Sequence, residues 1–254
     1  MSVRRLGGTV CVVTGAARGI GLAIAERLAA EGGRVAMWDV SPRRLAPAVA
    51  DLRDRGHEVR GYACDVAMRA AVAEAMAQVE QDFAAPVGVL VNNAVWAKFQ
   101  PLAEIDDEVV DRTIAVGLKA LMWTMQAAVP QMARRGGGSI VNISSSGALH
   151  PQAPSIVYGA MKGAALALTR AAAVELSAQC IRVNAVLPGM VGTAASKAQF
   201  DETTLAAREA AMPLGRFGRP EEIAATVAFL ASDDAAYVQG AEFMVDGGWT
   251  VGVR

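Results

Sequence analysis

The sequence predicts a doubly wound α/β fold, in which seven mostly parallel strands form one sheet with helices on both of its faces. Short apolar strand-like runs alternate with helical patterns along the 254-residue chain. The strand-like runs are almost continuously apolar, which is typical of parallel strands buried on both faces. No linker or internal repeat divides the chain, so we predict one domain over residues 1–254.

The first half of the chain alternates strands and helices in three pairs. TVCVVTG is a β-branched run that ends in glycine, and a helical pattern over residues 19–30 follows it. RVAMWD is the second strand and precedes a helix over residues 42–55. EVRGYACD is the third strand, and its helix runs through Val79. Strands that alternate with helices in this way favour a parallel sheet.

The second half continues the alternation. VGVLVNNA is the fourth strand, and a long helical stretch covers residues 106–133. GSIVNISS is the fifth strand, before the helix that contains VYGAMKGAALAL, while IRVNAVLPG is the sixth and AEFMVDGG the seventh. Helical regions cover residues 200–212 and 221–231. Residues 188–220 are the least regular part, and a loop of that length in a tight α/β unit predicts a lid or substrate loop.

Composition and charge narrow the classes of function. Hydrophobic residues make up 53% of the chain and charged residues 19%, which suits a folded chain with a large core. The formal net charge is -1 and no basic block occurs, which argues against nucleic acid as the main partner. Lys162 and Arg170 interrupt the alanine-rich run after Tyr158, so we predict no membrane span.

The cysteines and the N-terminal residues predict a location in the cytoplasm. Cys11, Cys64 and Cys180 stand singly beside apolar segments, which predicts buried, unreactive thiols and no disulfide framework. No cluster of histidine, cysteine and acidic residues suggests a metal site. The apolar run after the first basic pair is too short and too rich in glycine and threonine for a signal peptide. A reducing cytoplasm fits these features.

A glycine-rich loop, TGAARGIG at residues 14–21, lies between the first strand and its helix. Gly15, Gly19 and Gly21 follow a G-x-x-x-G-x-G spacing, not the common G-x-G-x-x-G. A pyrophosphate site needs a tight turn, a close backbone approach and a helix N-terminus with free N–H groups. The position of this loop after the first strand of an α/β chain therefore predicts a dinucleotide site.

Asp39 ends the second strand, about twenty residues beyond the glycine loop. Its carboxylate can accept hydrogen bonds from the ribose hydroxyls of an adenosine and would repel a 2′-phosphate, which favours NAD over NADP. Arg18, Arg43 and Arg44 keep NADP open as the less favoured cofactor, because guanidinium groups suit phosphate.

Tyr158 and Lys162 are four residues apart in a helix of small and apolar residues, so they share one helix face. A free phenol has a pKa of about 10, and a neighbouring ammonium stabilises the phenolate and lowers that pKa. Tyr158 is therefore a candidate general acid/base for an alcohol/ketone pair. Ser145, at the preceding strand end, can hold the reacting oxygen, with Ser144 and Ser146 as rival candidates.

Together these motifs resemble the short-chain dehydrogenase/reductase family over essentially the whole chain, and that resemblance implies a Rossmann-type fold. The matching residues beyond the glycine loop are Asp65–Val66 after the third strand, NNA at Asn92–Ala94, Ser145, Tyr158, Lys162, PGMVGT at Pro188–Thr193 and VDGG near the C-terminus.

The resemblance implies a role for each matching residue. Ser145, Tyr158 and Lys162 would be catalytic, and Lys162 would also contact the nicotinamide ribose. Further contacts would lie at the adenine (Asp65, Val66), the cofactor ribose side (Asn93, Ala94) and the nicotinamide amide (Val191, Thr193). The predicted cofactor-binding set comprises Gly15, Arg18, Gly19, Ile20, Gly21, Asp39, Asp65, Val66, Asn93, Ala94, Tyr158, Lys162, Pro188, Gly189, Val191 and Thr193.

Two positions depart from the family pattern. Gly117 stands in IAVGLKA, where family members commonly carry an asparagine that is thought to hold a water in the proton relay to the lysine. We expect the glycine to leave space in which a second water substitutes. Val95 replaces the glycine that usually follows Asn-Asn-Ala, and its branched side chain is expected to narrow the pocket near the nicotinamide.

The predicted function is hydride transfer between NAD(H) and a neutral, fairly hydrophobic secondary alcohol or ketone, with Tyr158 as general acid/base. The candidate substrate residues are mostly apolar, and they are Val95, Trp96, His150, Gln152 and Met190. A solvated His150 is an equal expectation. Two alternatives stay open: an NADP-dependent 3-ketoacyl reductase and, from another class, a cofactor-binding sensor with little turnover.

Two helices predict an oligomer. The stretch TIAVGLKALMWTMQAAV and the helix around Tyr158 are apolar nearly all round, so we expect another protein surface to bury their outer faces. We expect these helices to pair with their copies, as family oligomers often do, and predict a homotetramer. The apolar tail GGWTVGVR is expected to pack on a neighbouring subunit, with folding over its own substrate cleft as the alternative.

Overall fold

A computed structural model describes residues 5–198 and 201–252 and contains one parallel sheet. Its strands are β1 (Val10–Thr14), β2 (Arg34–Asp39), β3 (Val59–Ala63), β4 (Val87–Asn92), β5 (Gly138–Ile143), β6 (Ile181–Pro188) and β7 (Glu242–Val245). Within the described ranges the seven strands lie in the order β3-β2-β1-β4-β5-β6-β7, and every pair is parallel. The predicted doubly wound α/β fold is confirmed.

Helices connect the strands and cover both faces of the sheet. They are α1 (Gly19–Ala30), α2 (Pro42–Asp54), α3 (Arg69–Phe83), α4 (Asp107–Ile114), α5 (Ala120–Arg135), α6 (Ile156–Leu176), α7 (Ala194–Lys197), α8 (Glu202–Ala211), α9 (Pro220–Ala231) and α10 (Trp249–Gly252). A π-helical turn, Ala115–Lys119, joins α4 to α5, so the long predicted helix over residues 106–133 contains an irregular turn.

The hydrophobic core lies in two layers, one on each face of the sheet. Ile24 of α1, Leu52 of α2 and Val227 of α9 are fully buried in one layer. Val79 of α3 and Met132 of α5 are fully buried in the other, together with side chains of α6. Because both faces are covered, the central strands β1 and β4 are buried along their whole length and lack polar alternation. The edge strand β3 is partly exposed.

A buried chain of polar side chains crosses the sheet beneath α5 and α6. Asn92 of β4 donates to Asn142 of β5 at 2.9 Å, and Thr124 of α5 donates to Asn92 at 2.7 Å. Asn142 in turn donates to Thr169 of α6 at 2.9 Å. These mutually satisfied bonds hold α6, with its tyrosine and lysine, in one orientation over β5.

The strand order opens a crevice beside β1. β1 pairs with β2 on one side and with β4 on the other, so the connections after β1 and β4 diverge. In open α/β sheets, ligands bind at the carboxyl ends of the strands at such a switch point. The glycine loop follows β1, and Asn92–Ala94 follow β4, so the fold brings both motifs to this crevice.

The irregular segment contains the predicted helix, and the described part of the tail lies against its own chain. Residues 188–220 contain α7 and α8, while Phe200, where the sequence predicted a helix start, lies outside the described residues. The described part of the tail folds onto its own chain, because a Cβ on Gly252 would lie 2.5 Å from Pro213 Cγ. Val251 of the tail is exposed, and the packing of the tail on a neighbouring subunit stays a prediction. Val253 of the tail lies outside the described residues.

Cys180 corrects one further expectation. Cys11 and Cys64 are buried, as predicted, but Cys180 is exposed. It occupies a left-handed turn between α6 and β6, with φ of 56°, where the chain runs over the surface. Among the residues that the structure describes, no helix is long and apolar enough to cross a membrane.

Candidate active site

Two adjoining cavities open at the carboxyl ends of the strands. The glycine-loop cavity has a volume of about 630 Å³ and reaches from Asp39 to Thr193. The tyrosine cavity has a volume of about 370 Å³, with Tyr158 and Lys162 in its wall. The residues that line both cavities are Ile20, Asn93, Val95 and Thr193. One elongated ligand can therefore span the two, and every residue of the predicted cofactor-binding set lines one cavity or the other.

The glycine loop leaves a bare backbone surface at the N-terminus of α1. Gly15 has φ of 64°, a conformation that side chains other than glycine rarely adopt. A Cβ on Gly21 would overlap the Gly15 carbonyl oxygen and lie 2.5 Å from Asn93 Nδ2. The first turn of α1 contains no acidic side chain that would oppose an anion. These features fit a bound pyrophosphate, because N–H groups and the positive end of the helix dipole are available there.

Thr14 and Asn93 hold this loop in place. Thr14 Oγ1 accepts hydrogen bonds from the backbone N–H of Asn93 at 2.9 Å and of Ala94 at 3.0 Å. Asn93 Nδ2 donates to the Thr14 carbonyl at 2.9 Å and to that of Gly15 at 3.2 Å. Asn93 therefore links β4 to the glycine loop. The sequence analysis included Asn93 but missed Thr14, although Thr14 opens the glycine motif.

Asp39 lies in the wall of the glycine-loop cavity at the end of β2. It is 8% exposed and accepts hydrogen bonds from Ser41 N at 2.9 Å and from Ala17 N at 3.4 Å. Arg44 Nη2 lies 3.5 Å from Asp39 Oδ1, and Arg44 also lines the cavity. The end of β2 therefore presents a carboxylate and a guanidinium side by side.

The far wall of the glycine-loop cavity contains Asp65 and Val66, as the resemblance implied. Val66 is buried, and Asp65 Oδ1 accepts a hydrogen bond from Ala67 N at 3.0 Å, which shapes the turn after β3. Further lining residues that the sequence analysis missed are Val40, Cys64, Ala67, Arg112, Val116 and Ala194. No local pattern distinguishes them, because they meet only when the strand ends come together.

Tyr158 and Lys162 lie one turn apart at the start of α6 and face the tyrosine cavity. Lys162 Nζ lies 5.8 Å from the centre of the Tyr158 ring and donates to the Ile143 carbonyl at 2.6 Å. Phe99, which the sequence analysis missed, packs against the phenol ring with centroids 5.4 Å apart. The structure therefore brings the predicted pair together beside the end of β5.

Burial shifts both groups toward their uncharged forms. Burial raises the pKa of the Tyr158 phenol, and a hydrogen bond with Ser145 opposes the rise. Burial lowers the pKa of the Lys162 ammonium from 10.5 to about 8. The sequence analysis expected Lys162 to lower the pKa of Tyr158. In the structure that pKa is raised, because desolvation of the phenol is the larger effect.

The three serines after β5 have distinct environments. Ser144 Oγ donates to the Lys162 carbonyl at 3.0 Å and so ties β5 to α6. Ser146 is buried at the start of a 3-10 turn, Ser146–Ala148. Ser145 lines the tyrosine cavity and forms the hydrogen bond with Tyr158. Of the three candidates, Ser145 is therefore placed to hold a reacting oxygen.

Gly117 does not leave a space for water. A Cβ on Gly117 would lie 2.6 Å from Met161 Cε and 2.8 Å from Met161 Cγ, and would overlap its sulfur. Met161 is 3% exposed, so its side chain fills the volume beside the π-helical turn. The expectation of a second water at this position is wrong, because a neighbouring apolar side chain has taken the room.

The candidate substrate residues separate into different places. Val95 and Met190 line the tyrosine cavity. Trp96 lies instead in the glycine-loop cavity, where the guanidinium of Arg112 stacks 5.4 Å from its ring centre. His150 is exposed and is not among the described residues that line these cavities, which agrees with the expectation of a solvated side chain.

Gln152 belongs to a third cavity of about 460 Å³, the α8 cavity, which adjoins the tyrosine cavity through Met190. Its lining comprises Gln152, Met190, Thr203, Thr204, Ala207, Arg208, Ala211 and Trp249. The sequence analysis treated residues 188–220 as a substrate loop but named no residue of α8. The signal it missed is Arg208, a cation inside this segment.

Comparisons with known proteins agree with the fold described above. A family model described as enoyl-(acyl carrier protein) reductase matches residues 15–250. The chain is 38% identical to D-threitol dehydrogenase of Mycolicibacterium smegmatis, over 97% of this chain and 95% of that protein. It is 37% identical to the 3-oxoacyl-(acyl-carrier-protein) reductase FabG of Thermotoga maritima, over 97% of this chain and 100% of that protein.

A solved structure extends the likeness to three dimensions. A candidate short-chain alcohol dehydrogenase from Sinorhizobium meliloti matches with a TM-score of 0.93 and 33% identity, covering 99% of this chain and 100% of that one. The two relatives carry names with different substrates, a sugar alcohol and an acyl thioester. The comparisons therefore indicate a class of chemistry and not one substrate.

Proposed function

Because the chain belongs to the short-chain dehydrogenase/reductase family, we propose that it transfers a hydride between NAD(H) and a secondary alcohol or its ketone. The observation that carries the proposal is the convergence of Ser145, Tyr158 and Lys162 on the cavity that adjoins the glycine loop. The rest of that lining is largely apolar, so the group around the reacting carbon is neutral and fairly hydrophobic.

The two cavities offer a fitting place for a nicotinamide dinucleotide, which when bound would supply the hydride acceptor or donor. Its pyrophosphate would be held at the N-terminus of α1, beside Gly19 and Gly21. Asp39 would accept hydrogen bonds from the adenosine ribose. Thr193 lines both cavities and would hold the nicotinamide end next to Tyr158.

The chain's own residues handle the proton. Ser145 and Tyr158 would hydrogen-bond the substrate oxygen and fix it for reaction. During alcohol oxidation the Tyr158 phenolate takes the hydroxyl proton, and during ketone reduction the phenol returns it. Lys162 in its charged form would stabilise the phenolate from one helical turn away, and a positive charge bound beside the phenol would oppose the rise in its pKa that burial causes.

A hydride-transfer assay over a panel of secondary alcohols and ketones tests this function, with Tyr158→Phe as the matched control. We expect turnover by the wild type and a loss of about a hundred to ten thousandfold in the variant, which is the contribution that general acid/base catalysis makes. Equal dinucleotide binding by both proteins, with turnover by neither, would instead identify the cofactor-binding sensor.

The preference for NAD rests on the buried Asp39 carboxylate, which a 2′-phosphate would have to approach. Arg44 beside it and Arg18 in the same cavity favour the second candidate, an NADP-dependent 3-ketoacyl reductase. Comparison of kcat/KM for NADH and NADPH with one ketone decides between them. A tenfold or larger preference for NADPH, a difference of about 1.4 kcal/mol, would overturn the choice of NAD.

We further propose one domain and a homotetramer. All strands of the described residues join one sheet, so no boundary separates a second unit. On α6 the outward residues Ala167, Ala171 and Val174 are exposed, and Val174 is 81% exposed. Such a face suits pairing with a copy of itself. The free thiols fit a reducing cytoplasm, which stays a prediction.

A further inference from the structure

The phenol ring of Tyr158 has an aromatic neighbour on the segment that follows β4. This segment, Val95–Pro101, is called the β4 segment below and has no regular secondary structure. Its Phe99 ring packs against the Tyr158 ring, with centroids 5.4 Å apart and ring planes at 59°. Tilted aromatic pairs at this distance attract each other beyond the effect of the area that they bury. The β4 segment is therefore linked directly to the candidate acid/base.

Two further side-chain contacts hold the β4 segment on either side of Phe99. The guanidinium of Arg112 of α4 stacks on Trp96, 5.4 Å from its ring centre. Gln100 Nε2 donates a hydrogen bond to the Glu104 carbonyl at 3.2 Å. These contacts flank Phe99 and place its ring at a defined point over the start of α6.

Phe99 contacts the phenol but not the space in which a ligand would lie. Tyr158 lines the tyrosine cavity, whereas Phe99 is not among the described residues that line the glycine-loop, tyrosine or α8 cavities. Phe99 therefore covers the Tyr158 ring from outside the tyrosine cavity. Its side chain is 44% exposed, so the ring lies between the phenol and bulk water.

The other groups around the Tyr158 ring come from α6 and from the turn after β5. Lys162 Nζ lies 5.8 Å from the ring centre, and Ser145 forms a hydrogen bond with the phenol. A Cβ on Gly147 would lie 3.9 Å from Tyr158 Cε1. The titratable side chains of α4, of the π-helical turn and of the neighbouring loops are exposed, and they are Lys98, Glu104, Asp106, Asp107, Glu108, Asp111, Arg112, Lys119 and His150. Phe99 carries no charge, so it can act on the phenol through contact and the exclusion of water.

We propose that Phe99 is a positioning residue, whose ring fixes the Tyr158 phenol in the wall of the tyrosine cavity and excludes bulk water from it. This inference rests on the proposed function. A fixed phenol meets the substrate oxygen in one orientation, and a phenol shielded from water exchanges its proton with the substrate and not with solvent. The burial that raises the pKa of Tyr158 agrees with this exclusion of water.

Phe99→Ala tests the inference through the pH dependence of alcohol oxidation. In the wild type kcat/KM should rise with pH as the phenol loses its proton. In the variant water stabilises the phenolate, so the midpoint of that rise should move to lower pH by about half a unit or more. The plateau value of kcat should fall by about tenfold, because the phenol is less well oriented. KM should change little, because Phe99 lies outside the cavities.

Two further variants separate this role from general packing. Phe99→Leu keeps an apolar cover of smaller area, so its midpoint should be intermediate. Phe229→Ala removes one ring of another aromatic pair, in which Phe229 of α9 packs against Phe243 with centroids 6.1 Å apart, and it should keep the wild-type midpoint. A wild-type midpoint in Phe99→Ala would overturn the inference. So would a loss confined to KM, which would make Phe99 a substrate contact.

An NMR titration follows the same phenol without turnover. Lys162, with a pKa of about 8, also titrates, so the kinetic midpoint belongs to the coupled pair and the phenol needs its own signal. The chain has three tyrosines, so carbon-13 labelling of the tyrosine Cζ atoms gives three signals, and Tyr158→Phe identifies the one from Tyr158. Ionisation of Tyr158 at lower pH in Phe99→Ala than in the wild type supports the inference, and ionisation at the same pH overturns it.

The two measurements distinguish failure of the inference from failure of the proposed function. Turnover by the wild type, with Tyr158 ionisation unchanged in Phe99→Ala, would reject the role of Phe99 and keep the function. A shifted Tyr158 ionisation in a chain that turns over no alcohol or ketone would reject the function and keep the shielding of the phenol by Phe99.

Discussion

At the scale of single residues, the tyrosine cavity holds a phenol and an ammonium that burial drives toward neutrality. Burial raises the pKa of Tyr158, and it lowers the pKa of Lys162 to about 8. The Ser145 hydroxyl opposes the first effect, while the Ile143 carbonyl accepts the Lys162 hydrogen bond. Groups poised in this way change charge readily when a ligand alters their surroundings, as acid/base chemistry requires.

The buried Lys162 gives the folding free energy a specific pH dependence. Its pKa is 10.5 in the unfolded chain and about 8 in the folded chain. Between these pH values the unfolded chain binds more protons, so wild-type stability should rise with pH relative to Lys162→Met. Urea denaturation of both proteins from pH 7 to pH 11 measures this difference in unfolding free energy.

Lys98→Met is the control for that experiment, because Lys98 is exposed in the loop after β4. The unfolding free energy of this variant is measured over the same pH range. A difference between Lys162→Met and the wild type that stays constant with pH would contradict the depressed pKa of the buried lysine.

Gly21 is a second residue with a measurable role. In Gly21→Ala the added methyl group meets the Gly15 carbonyl oxygen, which is backbone and cannot move without distorting the loop. We expect dinucleotide binding to weaken by about tenfold or more, equivalent to about 1.4 kcal/mol. Titration of NADH by fluorescence measures the change, and wild-type affinity in the variant would show that the loop does not hold the pyrophosphate.

At the scale of elements, the π-helical turn and α6 interlock through one pair of residues. Gly117 has no side chain at this point of the turn, and the Met161 side chain occupies the space that a side chain would take. Met161 directly precedes Lys162, so this contact also fixes the start of α6 against the long helix. The buried bonds from Asn92 through Asn142 to Thr169 anchor the same helix from the sheet side.

A double-mutant cycle tests the interlock. Gly117→Ala should destabilise the fold by about 1–3 kcal/mol, because it overpacks a filled site. Met161→Ala should cost about 2–5 kcal/mol through the cavity that it leaves. The double variant should be more stable than the sum of the two losses predicts, because each change relieves the other. Additive losses in urea denaturation would mean that the two side chains do not compete for one space.

At the scale of the whole molecule, the exposed apolar face of α6 is the feature that one chain leaves without a cover. Ala167, Ala171 and Val174 are exposed on this helix beside the exposed Arg170 and Glu175, and Met122 of α5 is also exposed. Exposed apolar surface on this scale is typical of an interface. The proposed homotetramer would cover it with a second copy of the same helices.

Ala167→Arg should reduce the tetramer to smaller species, because a buried charge without a partner is costly at an interface. Light scattering after gel filtration measures the mass. Ala50→Arg, on the exposed side of α2, is the matched control and should remain tetrameric. Assembly of Ala167→Arg to the same mass as the wild type would exclude this face as the contact.

Spacing along the chain was sufficient to predict the order of strands and helices and the placement of the main motifs. α1 runs from Gly19 to Ala30 as the pattern indicates, and the Tyr158–Lys162 pair shares a helix face. These features depend on the period of a helix or strand and on backbone freedom at glycine, which act over a few residues. The glycine loop, Asp39, Tyr158 and Lys162 followed from short-range patterns, whereas the remaining cofactor residues followed from the family resemblance.

Contacts between distant segments settled the rest. Met161 fills the space at Gly117, burial reverses the expected pKa shift of Tyr158, and Trp96 stacks on Arg112 in the other cavity. Arg208 meets Met190 only because α8 folds over the end of β6. Packing volume, desolvation and charge environment depend on which residues become neighbours in space, and a linear pattern does not contain that information.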